Sequence, residues 1–226
     1  MVGFSLLSTL VVCVQLTGPS APQVSAGKAE PLFDGKSLDG WRYYLDDHMV
    51  GMEDVWSVRD GLLICKGEPM GYLYTKRAFK NFRLRVEWRW APGGKPGNSG
   101  VLMRINGAPM PLPRSIEAQL MSGNAGDLFG FHGMKLAGDT ARFREVEKHN
   151  IGGHLRGVGK IQGNEKEPGE WNVYDIHVQG PHIKVWVNEQ LVNEATEAEI
   201  APGPIGLQSE GGEVHFRKIV ITPLED

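Results

Sequence analysis

Nine residues, Phe82 to Trp90, constrain the fold more than any other stretch. Apolar Phe82, Leu84, Val86, Trp88 and Trp90 alternate there with Arg83, Arg85, Glu87 and Arg89. A helix would repeat its apolar positions near every 3.6 residues. A period of two instead dictates a strand with one buried and one wetted face. The same rhythm returns where Ile116, Ala118 and Leu120 alternate with Glu117, Gln119 and Met121, and where Ile183, Val185 and Val187 alternate with Lys184, Trp186 and Asn188. Val173 to Val178 reads as a less regular strand, and Val214 opens another that ends near Ile221. Asp60-Gly61, the Pro92-to-Gly97 loop, Ala108 to Pro113, Pro168-Gly169, Gly180-Pro181 and Pro202-Gly203-Pro204 punctuate these runs. No amphipathic pattern extends beyond about three helical turns. Many short strands joined by Gly/Pro turns predict an all-β sandwich or jelly roll. With no compositional break, residues 27–226 read as one domain. Gly123 to Gly163 departs from the pattern. It is rich in Gly, His and charge, and reads as a long loop of the kind that is functional or mobile.

Phe4 to Leu16 form an apolar run, followed by the breakers Gly18 to Pro22 and by Val24-Ser25-Ala26, with small or short residues at −3 and −1 of a cut after Ala26. Residues 1–26 therefore read as a secretory signal peptide, although no Lys or Arg precedes the run. The run is shorter than the roughly 20 residues of a spanning helix. The mature domain is thus expected to be secreted or periplasmic, without stable membrane insertion. It then keeps one cysteine, Cys65, within Leu62-Leu63-Ile64-Cys65, which reads as a buried small hydrophobe. A net charge of −3 without like-charge blocks argues against nucleic acid as the main partner.

On the strand around Glu117, the apolar residues belong to the core. Glu117 and Gln119 must then project together from the opposite face, roughly 7 Å apart. Glu accepts hydrogen bonds and Gln both donates and accepts, so the pair suits sugar hydroxyls; a plain solvated sheet face is the alternative. His215 and Arg217 alternate with Val214 and Phe216 and share an outward face, which the sequence does not place relative to Glu117. No close-set zinc ligands, calcium loop, phosphate-cradling glycine loop or nucleophile elbow appears.

Seven strings occur in order: Leu32-Phe33-Asp34-Gly35-Lys36-Ser37-Leu38-Asp39-Gly40-Trp41, Asn81 to Arg89, Gly97-Asn98-Ser99-Gly100-Val101-Leu102-Met103-Arg104, Ile116-Glu117-Ala118-Gln119-Leu120, Gly169-Glu170-Trp171-Asn172, Gly206-Leu207-Gln208-Ser209-Glu210-Gly211 and Val214 to Ile219. Together they resemble the family once listed as a domain of unknown function and now called the 3-keto-disaccharide hydrolase domain. The likeness runs over nearly all of residues 27–226. It implies a concanavalin A-like jelly roll, found commonly in exported bacterial proteins, that acts on carbohydrate or glycoside substrates.

Glycosidases of related jelly-roll folds set two carboxylates on one strand, and here Gln119 stands where the second would be. Asp127 or Glu210 would have to supply it from elsewhere. A 3-keto sugar changes the requirement. Its ketone acidifies the C2 hydrogen, and the aglycone on C1 lies β to the carbonyl, so one base can remove the proton while the aglycone leaves. The resemblance makes Glu117 the expected base, with His215 or His132 as second choices. Arg104 is the expected clamp for the enolate or a hydroxyl. Asn98 and Ser99 are candidate sugar contacts, or Asn98 serves a local turn. Gln208 and Glu210 join them from the last segments. Arg217 is either a site residue or an ion-pair partner, and Trp171 either stacks on a sugar ring or sits in the core. No cofactor is required by these motifs; a divalent ion near the enolate, drawn from His132, His149 and His154 with Asp127 and Asp139, is one further option. A non-catalytic, lectin-like module using the same face is the competing reading, and the oligomeric state is left open.

Overall fold

The computed structural model describes residues 27–226, and the expected signal peptide lies outside them. Two eight-stranded antiparallel sheets face each other. The first runs β14 (Gln190–Ala195), β13 (His182–Val187), β12 (Asn172–Gln179), β6 (Phe82–Trp90), β16 (Val214–Pro223), β4 (Leu62–Cys65) and β3 (Trp56–Arg59), with β1 (Glu30–Pro31) paired to β16. The second runs β10 (Phe143–His149), β11 (Gly153–Val158), β9 (Leu128–Gly130), β8 (Arg114–Gln119), β7 (Gly100–Asn106), β15 (Gly206–Ser209), β5 (Gly71–Thr75) and β2 (Trp41–Leu45). The chain crosses between sheets from β5 to β6, from β6 to β7 and from β15 to β16, as in a jelly roll. Among the described residues the only α-helix is a single turn, α1 (Met52–Val55), and no helix is long and apolar enough to cross a membrane.

The alternation in β6 decides the architecture. Phe82, Leu84, Val86, Trp88 and Trp90 enter the inter-sheet core, while Arg83, Arg85 and Arg89 look outward. From the other side the second sheet contributes Val101, Met103, Ile116, Ala118, Leu128 and Leu207. Side chains of alternate residues point to opposite faces, so burying Ile116 and Ala118 forces Glu117 and Gln119 outward. Cys65 is wholly buried in this core, and burial pushes its thiol up to about 12, which leaves it an inert packing residue.

The Gly123–Gly163 segment is not a loop. It contains β9, β10 and β11, which extend the second sheet by three strands. The signal was hidden because β10 (FREVEKH) is exposed almost throughout, with only Phe143 half-buried, so no clean apolar alternation marks it.

The structure also reassigns Arg104. A register shift in the β7–β8 pairing follows Met103, and Arg104 takes a left-handed backbone angle, φ 55°. Its side chain is fully buried, and its guanidinium donates to the Glu199 carbonyl at 2.7 Å, the Gly180 carbonyl at 2.7 Å and the Lys80 carbonyl at 3.1 Å. The rigid fork of guanidinium donors suits three converging carbonyls. Arg104 ties three connecting segments together and is not a clamp for an enolate. An Arg104→Met variant keeps the volume but leaves three carbonyls unpaired. It should lose about 2–4 kcal/mol of stability, read as a lower urea midpoint at unchanged m-value.

Candidate active site

The strings flanking the site are joined by backbone contacts. Asn98 N–H donates to the Gly211 carbonyl at 2.7 Å, and Ser99 Oγ donates to the Gln208 carbonyl at 2.8 Å. Gly97 is required at this seam, because a Cβ there would lie 2.0 Å from the Gly211 carbonyl oxygen. Asn98 Nδ2 then donates to Glu210 Oε2 at 2.7 Å. Two stretches more than a hundred residues apart thus become one wall. Gly100 has a second reason to lack a side chain, since its Cβ would fall 1.9 Å from Glu117 Oε1. The glycine leaves the space in which the Glu117 carboxyl lies.

These residues border a cavity of about 360 Å³ on the outer face of the second sheet, within the roughly 300–1,000 Å³ usual for small-ligand sites. Asn98, Glu117, Gln119, Gln208 and Glu210 form a polar wall. Leu112, Phe129, Phe131, Val146, Ile151 and Leu155 form an apolar one, with Arg144 and His149 also lining the space. Glu117 is only 2% exposed. Burial pushes its carboxyl well above the ordinary range, and the nearby charges of Glu210 and Asp127 push it further. Burial also raises Glu210, against the opposing pull of the Gln208 and Asn98 amides beside it. Asn98 Oδ1, Glu117 Oε1 and both amide atoms of Gln208 are buried without a partner in the protein. Four such atoms on one wall leave hydrogen-bonding capacity that a polar ligand can meet.

Asp127 lies close enough to act on Glu117 but does not line the cavity. Its Oδ1 accepts from Lys160 N–H at 2.8 Å. Ser99 is fully buried and serves the seam rather than the cavity. His132 stands beside the site: its Nε2 donates to the Leu112 carbonyl at 2.9 Å, so it positions the Leu112 loop and does not offer that nitrogen as a base. His215, Arg217 and Trp171 are on the other sheet. His215 pairs with Glu213 at 2.6 Å, and Arg217 Nε donates to Glu87 Oε2 at 2.7 Å. Although burial pushes the Glu87 carboxyl up, Arg217, Lys218 and Arg85 hold it below its ordinary value. Trp171 is half-buried outside the core, with the guanidiniums of Arg217 and Arg89 at 4.3 and 4.6 Å from its ring centre. The second-choice base His215 and the ring platform Trp171 are therefore both withdrawn from the site. Arg217 takes the ion-pair role. Among the described residues no group of three or more His, Cys, Asp or Glu is arranged to hold a metal ion. His154 is paired with Glu145 at 2.6 Å.

Sequence reasoning missed Arg144 and the apolar wall, and offered His149 only as a ligand for a divalent ion. The two-residue spacing of Arg144 and Val146, which puts both on one face, was a usable signal once β10 was taken as a strand. The irregularity between Val146 and His149, which returns His149 to the cavity, was not readable.

Comparison with known proteins now adds to the geometry. The model of the 3-keto-alpha-glucoside-1,2-lyase-like domain matches residues 28–222. The chain belongs to this family. A 3-keto-disaccharide hydrolase of Bacteroides thetaiotaomicron is 35% identical over 78 residues, covering 31% of this chain and 25% of that protein, so the chain spans only part of its relative's length. In fold, a provisionally assigned glycosyl hydrolase from Parabacteroides distasonis superposes with a TM-score of 0.64 at 20% identity, over 87% of this chain and 94% of that one. The laminarinase of Rhodothermus marinus does so at 0.57 and 14% identity, over 92% and 100%. The family member described here therefore shares its jelly roll with glycan-degrading enzymes. The seven strings of the 3-keto-disaccharide hydrolase resemblance fall within the matched span.

The raised Glu117 makes a stability prediction. The unfolded chain loses this proton near 4.5, whereas the folded chain keeps it to higher pH, so the folded state binds more protons above 4.5. The contribution is neutral below that value and turns against folding as pH rises toward the folded pKa. Glu117→Gln removes it. The variant should melt above the parent at pH 8, with the difference shrinking toward pH 4 in calorimetric scans.

Proposed function

We propose that this protein is an exported enzyme that cleaves 3-keto-glycosides, taking the proton next to the ketone and releasing the aglycone. The observation that carries the reading is the Glu117 carboxyl, buried on the polar wall of a ligand-sized cavity and pushed upward by burial and neighbouring carboxylates. A carboxylate made more basic by desolvation suits a general base whose task is a carbon acid. Glu117 takes the C2 proton, the C2 electron pair enters conjugation with the C3 ketone as an enolate, and its return expels the C1 oxygen to leave an enone. Addition of water to that enone completes a hydrolysis; release of the enone makes a lyase. The Gln208 amide, whose Nε2 has no protein partner, supplies a hydrogen bond to the sugar's oxygens. The proton that Glu117 takes from C2 is then carried on its own carboxyl and is available to the departing oxygen, so the elimination balances without a second acid.

A lectin-like module would bind through the same hydrogen bonds but would need no titrating group. The family match, the glycosidic activity in the name of the B. thetaiotaomicron relative, and the raised carboxyl together favour catalysis. Glu117→Gln should lower kcat for a 3-keto-glucoside by about 10²–10⁴-fold while preserving binding, and the unoxidised glucoside should not turn over. Unchanged turnover would remove the base; binding without turnover in the parent protein would leave the lectin. In the parent enzyme kcat/KM should rise with pH along a limb whose midpoint lies well above 4.5.

A further inference from the structure

The cavity is lopsided. Beside the carboxyls and amides, beginning at Phe129, the cross-strand neighbour of Glu117, lies a wall of aliphatic and aromatic side chains that takes no part in the chemistry above. Leu112, Phe129, Phe131 and Leu155 form a hydrophobic cluster separate from the inter-sheet core. Phe129 and Phe131 stack at 6.1 Å with an interplanar angle of 18°, and Arg144 covers Phe129 with its guanidinium 4.8 Å from the ring centre. Gly157 is the register partner of both Phe129 and Arg144, and a Cβ there would come within 3.0 Å of each. The local sequence thus leaves room for that stack. At the mouth, Val146 and Ile151 line the same cavity while 40% and 45% exposed, so a large apolar lip stands in water.

We propose that this wall is the aglycone subsite and that it takes a ring-sized apolar aglycone, aromatic or alicyclic, in preference to a second sugar. The proposal rests on the reading of the polar wall as the place where the 3-keto-glycosyl unit reacts. Its chemical ground is hydrogen-bonding capacity. A second sugar would press several hydroxyls against six side chains that offer neither donor nor acceptor, and polar groups desolvated without partners oppose binding. Only Arg144, stacked on Phe129, and His149, whose Nδ1 already accepts from Gly152 N–H, are there to meet those hydroxyls. An apolar ring loses nothing there, and it covers Val146 and Ile151 as well. Among the residues that line the cavity, the buried unpartnered polar atoms belong to Asn98, Glu117 and Gln208, where one glycosyl unit would use them.

The test compares cyclohexyl 3-keto-glucoside with 3-keto-glucosyl-glucose on the full chain. Cyclohexanol is a poorer leaving group than a sugar hydroxyl, so a preference for the cyclohexyl substrate cannot come from leaving-group chemistry. The expected result is a kcat/KM about tenfold or more in favour of the cyclohexyl glycoside. The surface double variant Val146→Ser/Ile151→Ser should reduce that preference by raising KM for the cyclohexyl substrate more than for the disaccharide. Equal or better use of the disaccharide, or an equal effect of the double variant on both, overturns the subsite while leaving the 3-keto-glycoside activity standing. Calorimetric titration with the unoxidised cyclohexyl glucoside separates the opposite failure. If neither keto substrate turns over, yet the parent binds this glucoside more tightly than the unoxidised disaccharide and the double variant loses the difference, the catalytic reading falls and the subsite stands. A second copy of the chain covering the lip would appear as a dimer in sedimentation that the double variant dissolves. With no cyclohexyl preference, that outcome also overturns the proposal.

Discussion

A carboxyl group withdrawn from water must find a partner or keep its proton, and the site is organised around that constraint at Glu117. Oε1 has no hydrogen-bond donor, no cation neutralises the group, and the nearest charges are carboxylates of the same sign. The surroundings specify this arrangement. Gly100 leaves the volume that the carboxyl fills, Gly97 permits the backbone of Gly211 to approach, and Ser99 holds the end of β15 against the start of β7. A side chain at Gly100 would displace the carboxyl, and any move toward solvent would lower its basicity.

The two sheets divide the labour. The first is the structural sheet: its outward polar residues neutralise one another, with Glu87 among Arg85, Arg217 and Lys218, and Trp171 between two guanidiniums. The second sheet leaves its outward groups unpaired around a cavity. A polar side chain with its partners already in the protein has little left for a ligand, and one without them carries capacity that binding can use. Arg217 is spent on Glu87, and Arg104 and His215 have their main donors engaged away from the cavity, while Gln208, Asn98 and Glu117 keep unpartnered atoms on its lining. Three strands that extend the second sheet add the apolar wall and the mouth, so the cavity itself has two chemically distinct ends.

Much of this was legible beforehand. The alternation in Phe82–Trp90 named a strand residue by residue, and the alternation around Ile116 placed Glu117 and Gln119 on the face away from the core. Neighbouring Asn98, Gln208 and Glu210 were identified through the ordered strings and not through any local pattern. Arg104 was misread because a charged residue closing a strand looks outward in a sequence, whereas the irregularity after Met103 turns it inward among carbonyls. His215 and Arg217 were correctly seen to face outward, but outward from the first sheet, and alternation carries no information about which sheet a strand joins. The β10–β11 hairpin was missed because a strand exposed on most positions has no apolar rhythm to show.

By itself the sequence determined the all-β class, the inner and outer face of each regularly alternating strand, and the family. These follow from the two-residue period of an extended chain, from turn chemistry and from ordered motifs, all properties of residues near one another along the backbone. Only the tertiary structure decided which outward faces meet, which polar groups are already satisfied, and that one cavity has a polar and an apolar side. Those depend on pairing between strands well over a hundred residues apart, as in His215 opposite Ile64, and on breaks in register, where a shift of one residue exchanges the two faces of a strand.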